Sequence, residues 1–264
     1  MNTLIANVIA IYRRELQSYF NSSLAYIIAV VFWFISGLFL VTLLLSPDGI
    51  IAQVNQAESL GISQDIDVPY QFLQVFLNLL GSLSMFLLPM LSMGLYAEER
   101  KQGTLELLAT SPLTNWTVAL GKLLGVVTFY SFMLLPIMIV ELIAFSASQP
   151  AFPNSIFLLS HLGLLLLAAG VLSLGMFISS LSDSTVLAAV MTFGVVLLLW
   201  IVEAIANLPG PIAAAFGHLS LLTHFTDFTQ GILDTSGIIL FSSYIVLGIF
   251  LTAQSIDTLR FQRS

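Results

Sequence analysis

The sequence predicts an all-α membrane protein with six transmembrane helices in a single domain, residues 1–264. The chain is 58% hydrophobic and 8% charged, with a mean hydropathy of +1.01, whereas about 25% of residues in a soluble domain are charged. So few charges cannot cover a water-exposed surface, which excludes a soluble enzyme. Six stretches can cross about 30 Å of hydrocarbon as helices. They are apolar on every face, unlike the alternating strands of a β-barrel.

Each predicted span is an apolar run of about 20 residues or more. The spans are Leu24–Leu45, Phe72–Ala97, Leu123–Phe145, Ile156–Ser179, Thr185–Ala206 and Gly237–Ile256. Pro89 and Pro136 fall inside two of them, where neighbouring helices can satisfy the freed carbonyls, so we expect kinks and not breaks. Gly121 and Gly125 are small residues four positions apart, which would let two helices approach closely.

The basic residues set the orientation, because cytoplasmic loops retain lysine and arginine. With six spans, all seven basic residues fall on one side of the membrane: Arg13, Arg14, Arg100, Lys101, Lys122, Arg260 and Arg263. The loop of residues 46–69 has four acids and no lysine or arginine. We therefore expect both termini to be cytoplasmic and this loop to be external.

Residues 1–22 precede the first span and have the pattern of an amphipathic helix. Apolar side chains recur at spacings of three and four, from Ile5 to Tyr19, and polar side chains fall between them. We expect a helix lying flat at the cytoplasmic interface, with Arg13 and Arg14 near lipid headgroups. The alternative is a plain cytoplasmic extension of the first span.

The cytoplasmic loop of residues 98–122 is the most charged part of the chain. Gly103 permits a sharp change of direction, and Thr104–Thr110 can form a short helix that Ser111-Pro112 would end. An ordinary solvated connector is the simpler interpretation. Exposed leucines surrounded by charge favour a docking surface instead.

Residues 207–236 are predicted to form an outer re-entrant or interfacial hairpin, because residues 211–222 are apolar but too short to cross the membrane. His218, His224 and Asp227 lie in this segment, but their spacing matches no zinc signature, so we predict no metal site.

Two acids, Glu141 and Glu203, lie inside hydrophobic runs near the predicted outer ends of their helices. We expect no basic residue in this chain to pair with them. Their shallow depth favours solvation at the outer interface, whereas membrane-embedded acids are also functional candidates. His161, in the fourth span, is predicted to hydrogen-bond between helices.

Several classes of site have no counterpart in the sequence. A net charge of −7 without a basic cluster argues against nucleic acid binding. The chain has no cysteine, so disulfides and thiolate metal sites are excluded. It has no Gly-x-x-x-x-Gly-Lys-Ser/Thr loop for ATP and no catalytic motif of a protease or hydrolase. Energy for transport would have to come from an ion gradient or from another subunit.

Three segments resemble the permease subunits of type-2 ABC transporters, particularly the branch of gliding-motility-associated and copper-processing permeases. They are Tyr12–Leu16 with Tyr19–Ile27, Glu98–Leu108 with Ser111-Pro112 and Gly121-Lys122, and Thr223–Phe225 with Phe228 and Gly231–Asp234. The second segment is the family's most recognisable cytoplasmic motif.

The resemblance implies the permease of an exporter of the bacterial inner membrane, which is not itself an enzyme. A second permease, identical or different, would associate with it, and a separate cytoplasmic ABC ATPase would hold the ATP and Mg. The short loop helix would be the coupling helix that contacts this ATPase, through Gly103, Thr104, Leu105, Glu106, Leu107 and Leu108. Ion pairs with the partner or with the N-terminal helix would involve Arg13, Arg14, Glu15, Glu98, Glu99, Arg100 and Lys101.

Two alternatives come from other functional classes. A proton-coupled secondary transporter could use Glu141 or Glu203, but it would need an internal repeat with broken helices, and no convincing repeat is present. A membrane scaffold without transport is the other, although the exposed loops offer little surface. The apolar spans leave the substrate open, because they face lipid as well as any pathway.

Overall fold

The computed structural model describes residues 2–60, 67–105, 113–146, 148 and 152–261. In these ranges the chain is helical and has no strand. The eleven helices of the described ranges are α1 (Asn2–Asn21), α2 (Ser23–Leu45), α3 (Ile50–Ser59), α4 (Val68–Ser92), α5 (Gly94–Lys101), α6 (Asn115–Phe145), α7 (Asn154–Leu181), α8 (Thr185–Ala206), α9 (Pro211–Gly217), α10 (Leu221–Thr229) and α11 (Thr235–Phe261).

Six helices are long and apolar enough to span a membrane, which confirms the predicted number. The span that starts at α4 continues with a short turn into α5, and α6 begins eight residues before the predicted span at Leu123. Pro89 and Pro136 lie inside α4 and α6, and both helices continue beyond them.

Polar side chains set where several of these helices begin. The hydroxyls of Ser22, Thr114 and Ser184 each accept a hydrogen bond from the backbone N–H three residues further on. The Asp67 carboxylate does the same for Tyr70 at the start of α4, at 3.1 Å. These N-caps satisfy amides that have no partner within the helix, and each stabilises the helix end by about 1 kcal/mol.

Helix α7 is the centre of the bundle. In its most apolar stretch 72% of the residues are buried, and it packs against α4, α5, α6, α8, α10 and α11. Helices α2 and α8 lie at the periphery, where only 22% of the corresponding residues are buried. A membrane protein must cover such apolar faces with lipid or with another subunit.

The N-terminal helix α1 packs along the first half of α6. A Cβ atom built on Gly121 would lie 2.8 Å from Cβ of Ile11, and one built on Gly125 would lie 2.8 Å from Cβ of Glu15. Real Cβ atoms do not approach so closely, so the two glycines are what allows α1 to contact the backbone of α6. The simple extension of the first span is wrong, because Ser22 separates α1 from α2.

Two segments contain helices that the sequence did not specify. Residues 46–69 were expected to be an external loop, but ten of them form α3. The predicted outer hairpin consists of α9 and α10, which pack against α8 and α7. The loop helix at Thr104–Thr110 is described only as far as Leu105, and its remaining residues lie outside the described ranges.

Candidate functional site

Four charged side chains meet where α1, α5 and α6 come together. Nζ of Lys122 lies 3.0 Å from Oε2 of Glu15 and 3.1 Å from Oε1 of Glu99, and Arg14 approaches the same Glu99 oxygen at 3.5 Å. Nζ of Lys122 also lies 5.0 Å from the centre of the Tyr96 ring. We call Arg14, Glu15, Tyr96, Glu99 and Lys122 the Lys122 cluster.

Burial makes the Lys122 cluster a strong link between the three helices. The Lys122 side chain is 4% exposed, and the side chains of Glu15 and Glu99 are 14% and 13% exposed. A buried ammonium group has lost most of its hydration, so it needs charged or polar partners at close range. Lys122 obtains them from one acid on α1 and one on α5, which fixes the positions of both helices relative to α6.

Helix α5 is also held by α7. The Ser179 hydroxyl accepts hydrogen bonds from the amides of Tyr96 and Ala97, both at 3.0 Å, and donates one to the Met93 carbonyl at 2.8 Å. The Arg100 guanidinium donates to the Ser180 carbonyl at 2.9 Å. The short helix that leads into the charged loop is therefore attached to both α1 and the central helix.

Tyr19 provides a further contact between α1 and the spans. Its hydroxyl donates a 2.6 Å hydrogen bond to the Leu91 carbonyl, and its ring stacks on Phe129 at 5.2 Å between ring centres. Burial, and then the negative charges of Glu15 and Glu98, raise the pKa of Tyr19 well above its ordinary value. The phenol is the donor in this contact because the Leu91 carbonyl oxygen can only accept.

The other predicted ion-pair residues have different surroundings. Arg13, Glu98 and Lys101 form no ion pair within the described part of the chain. Arg100 bonds to a carbonyl oxygen and to no acid. Only three residues of the predicted set, Arg14, Glu15 and Glu99, come together in the Lys122 cluster.

The described part of the predicted docking segment consists of Gly103, Thr104 and Leu105. Gly103 has a φ of +72°, a conformation in which a side chain would be strained. The Thr104 hydroxyl donates to the Glu99 carbonyl at 3.2 Å, and Leu105 is 4% exposed. Leu105 therefore packs within this chain. Glu106, Leu107 and Leu108 lie outside the described residues.

Comparison with known proteins assigns the family. The profile of the ABC-2 family transporter proteins matches residues 9–237, which include α1 from residue 9 onward, the charged loop and, in full, five of the six spans. This chain belongs to the ABC-2 transporter family. It is therefore a permease of an ABC transporter and a multi-pass membrane protein. None of the curated proteins compared with this ABC-2 permease matches it.

The family assignment also identifies the class of partners. ABC-2 permeases associate with an ABC ATPase and with a membrane partner, and the permease is not the catalytic component. The narrower branch that the sequence resembles stays a prediction, because the match is to the family as a whole.

Glu141 of this ABC-2 permease has a partner, and the expectation that it has none is wrong. Its carboxylate is fully buried, and Oε2 lies 2.9 Å from Nε2 of His161 on α7, off the line of a regular hydrogen bond. Nδ1 of His161 lies 2.9 Å from the Phe157 carbonyl, which can only accept, so Nδ1 carries a hydrogen. Within the described ranges, His161 is therefore the ion-pair partner of Glu141.

Glu203 differs from Glu141 in its surroundings. It lies near the end of α8, its side chain is partly exposed, and no ion pair to it is formed within the described ranges. The interfacial interpretation fits Glu203. It does not fit Glu141, whose side chain is enclosed by protein.

The histidines in residues 207–236 do not converge on a metal-binding geometry. Nδ1 of His224 lies 3.6 Å from Oδ2 of Asp227, one turn along α10. Among the described residues, no three His, Cys, Asp or Glu side chains are grouped so that they could hold a metal ion.

Sequence reasoning missed the central residue of the site. Lys122 was interpreted as a cytoplasmic basic residue and as part of the family motif, with no partner assigned, whereas the structure buries it at 3% exposure. A signal was present, because Lys122 directly follows the first residue of the Gly121 and Gly125 pair. Small residues let a second helix approach closely, so a lysine on the same helix can reach a charged side chain of that second helix.

Proposed function

We propose that this permease couples to a cytoplasmic ABC ATPase through residues 98–122, and that ATP binding and hydrolysis on that partner drive export. The observation that carries the proposal is the Lys122 cluster. It joins the helix that leads into the charged loop, α5, to the interfacial helix α1 and to the span α6. A force applied to the loop then reaches two other elements through contacts of about 3 Å.

The connections of α5 indicate how a displacement would travel. Ser179 and Ser180 on α7 form three hydrogen bonds with α5, at Tyr96, Ala97 and Arg100, and a fourth with Met93 directly before it. Helix α7 packs against five of the other long or re-entrant helices, α4, α6, α8, α10 and α11. Closure of the ATPase pair would therefore rock the permease as packed helices, the usual way in which a local movement becomes a domain movement.

The backbone conformation of Gly103 indicates that the start of the loop is a fixed turn and not a flexible link. Its positive φ sets a fixed turn between α5 and the docking segment, and nothing lies within 4 Å of an added Cβ. A substitution there changes the direction of the backbone and removes no packing. We propose that Thr104, Glu106, Leu107 and Leu108 contact the ATPase, and that Leu105 anchors the segment to the permease.

The full transporter would contain two permease chains and two ATPase chains. The peripheral helices α2 and α8 offer the apolar faces that a second permease, identical or not, could cover. ATP and Mg would be held by the ATPase, with both termini of this chain and its seven basic residues on the ATPase side of a bacterial inner membrane. Membership of the ABC-2 family gives no support to a proton-coupled transporter.

The experiment isolates the tagged permease from its native membranes and asks whether a protein with a phosphate-binding loop accompanies it. We expect Mg-dependent ATP hydrolysis by the purified complex. Leu108→Asp and Gly103→Val should reduce the co-purified ATPase at least tenfold while membrane insertion is unchanged.

Gly210→Val is the matched control for Gly103→Val. Gly210 also has a positive φ, +128°, and nothing lies within 4 Å of an added Cβ, but it lies between α8 and α9 at the opposite end of the bundle. Unchanged ATPase recovery in both loop variants would contradict the docking assignment. Transport driven by a pH gradient in vesicles containing this chain alone would contradict ATP coupling.

A further inference from the structure

A cavity of about 510 Å³ lies beside the Lys122 cluster, between α1, the first turns of α2, the last turns of α4, and α5. Its size is that of a small-molecule site. The proposed coupling role does not use it. The side chains that define its character are Glu15, Tyr19, Leu24, Met90, Glu98 and Lys101.

One side of the cavity is apolar and open toward the membrane. Leu24 is 38% exposed and Met90 is 36% exposed, and both belong to helices that span the bilayer. On α1, which lines the cavity through Glu15 and Tyr19, the side chains of Leu4, Ile5 and Ile9 are 51%, 55% and 43% exposed. Exposed apolar side chains on an interfacial helix lie against acyl chains, so this opening is at the level of the lipid headgroups.

The other side of the cavity carries charge that the protein itself does not neutralise. Glu15 is paired with Lys122 at 3.0 Å. Glu98 and Lys101 are one helical turn apart on α5, yet neither forms an ion pair with each other or with any other described residue. The cavity therefore presents one free carboxylate and one free ammonium group beside an apolar wall.

We propose that this cavity binds a phospholipid with a primary amine in its headgroup. The lipid would come from the membrane leaflet on the side where the basic residues of the protein lie. The lipid ammonium group would face Glu98, its phosphate would face Lys101, and its acyl chains would lie against Leu24 and Met90. A zwitterionic headgroup matches the two opposite charges, and a primary ammonium group can also donate hydrogen bonds to the carboxylate.

Other lipid classes match the cavity less well. An anionic headgroup without an amine would leave Glu98 without a partner and place like charges together. A quaternary ammonium headgroup keeps the charge but donates no hydrogen bond. The order of retention should therefore be phosphatidylethanolamine first, then phosphatidylcholine, then phosphatidylglycerol.

The test measures lipid retention by native mass spectrometry of the purified permease in detergent. Dioleoyl phosphatidylethanolamine, phosphatidylcholine and phosphatidylglycerol are titrated separately. We expect phosphatidylethanolamine to bind about fivefold more tightly than phosphatidylglycerol, the factor that one favourable charge near a membrane surface gives. Glu98→Gln should remove this preference. Lys101→Gln should weaken binding of all three lipids.

Gly94→Leu tests the same site by volume instead of charge. Only Oε2 of Glu98 lies within 4 Å of a Cβ at Gly94, at 3.6 Å, so α5 accepts a larger residue whose side chain would fill the cavity. This variant should lose phosphatidylethanolamine while both charges remain. Asp183→Asn, an exposed acid that does not line the cavity, is the control and should bind as the wild type does.

Three results would overturn the proposal. Equal retention of phosphatidylethanolamine and phosphatidylglycerol by the wild type would remove the role of the amine. Unchanged retention in both Glu98→Gln and Gly94→Leu would place the lipid elsewhere. Displacement of the bound lipid by soluble phosphoethanolamine at equal concentration would show that the headgroup alone is the ligand. The measurement uses the permease without an ATPase, so its failure is distinct from failure of the proposed coupling.

Discussion

Removing the Lys122 ammonium group tests whether the Lys122 cluster holds the permease together. The substitution is Lys122→Met, which keeps the length and apolar stem of the side chain. At an effective dielectric constant of about 20, unit charges roughly 3 Å apart attract by about 5 kcal/mol. Lys122 has two such partners, at 3.0 and 3.1 Å. Much of this attraction is offset by the dehydration of the three charged groups.

The expected net loss follows from what the substitution leaves behind. Two carboxylates would remain near each other, 14% and 13% exposed, without their common cation. Removal of one partner from a buried ion pair costs about 3–5 kcal/mol, and the partial exposure of both acids places this case near the lower value. About 3 kcal/mol corresponds to a fall of roughly 6–12 °C in the unfolding temperature for a chain of this size.

The assay is thermal unfolding of the detergent-solubilised permease, followed by the fluorescence of its three tryptophans. The same substitution is then made in a Glu15→Gln/Glu99→Gln background, where no carboxylate is left uncompensated. There it should lower the unfolding temperature by less than a third as much. An equal fall in both backgrounds would mean that Lys122 acts through packing, and the electrostatic reasoning would be refuted.

Three further predictions concern separate contacts. Gly125→Val should displace α1 from α6, because its Cβ would lie 2.8 Å from Cβ of Glu15. The labelling rate of a single cysteine placed at the partly buried Leu16 should then rise, whereas Gly194→Val, where nothing lies within 4 Å of an added Cβ, should leave it unchanged. Glu141→Ala should lower the free energy of unfolding by about 1–3 kcal/mol, measured by thermal unfolding, because His161 loses its buried partner. Glu141→Gln, and Glu203→Ala at a partly exposed position, should lower it by less. The pKa of Tyr19 is raised in the folded protein, so above about pH 10 the tyrosine ionises first in the unfolded chain. The free energy of unfolding should therefore fall as the pH rises through this range, and it should fall less steeply in Tyr19→Phe. Equal slopes of unfolding free energy against pH for the two proteins would disprove this.

The sequence predicted those features that depend on local composition. Six spans followed from apolar length, and the span Thr185–Ala206 agrees with α8 at both ends because Ser184 caps it and Asn207 follows it. The existence of helix α1 followed from the periodicity between Ile5 and Tyr19. Helix α3 was missed although Ile50, Val54 and Ala57 recur at helical spacing, because its ten residues were interpreted as part of the acidic external loop.

The pairings inside the site could not be predicted in the same way. Glu141 and His161 are 20 residues apart on different helices, and Lys122 meets Glu15 across 107 positions. Their contacts depend on how the helices rotate and pack, which no short spacing encodes. The Gly121 and Gly125 pair indicated a close helix contact, but not that the contacting helix would be α1.

The fit of α1 against α6 also has a consequence for how this sequence can diverge. Residue 125 has no side chain because the stem of residue 15 occupies that space, and residue 15 in turn supplies a charge to residue 122. A relative that acquires a side chain at position 125 must shorten position 15, and it then has to replace the lost carboxylate or discard the lysine. Positions 15, 99, 122 and 125 should therefore change together across the family, and isolated exchanges at any one of them should be rare.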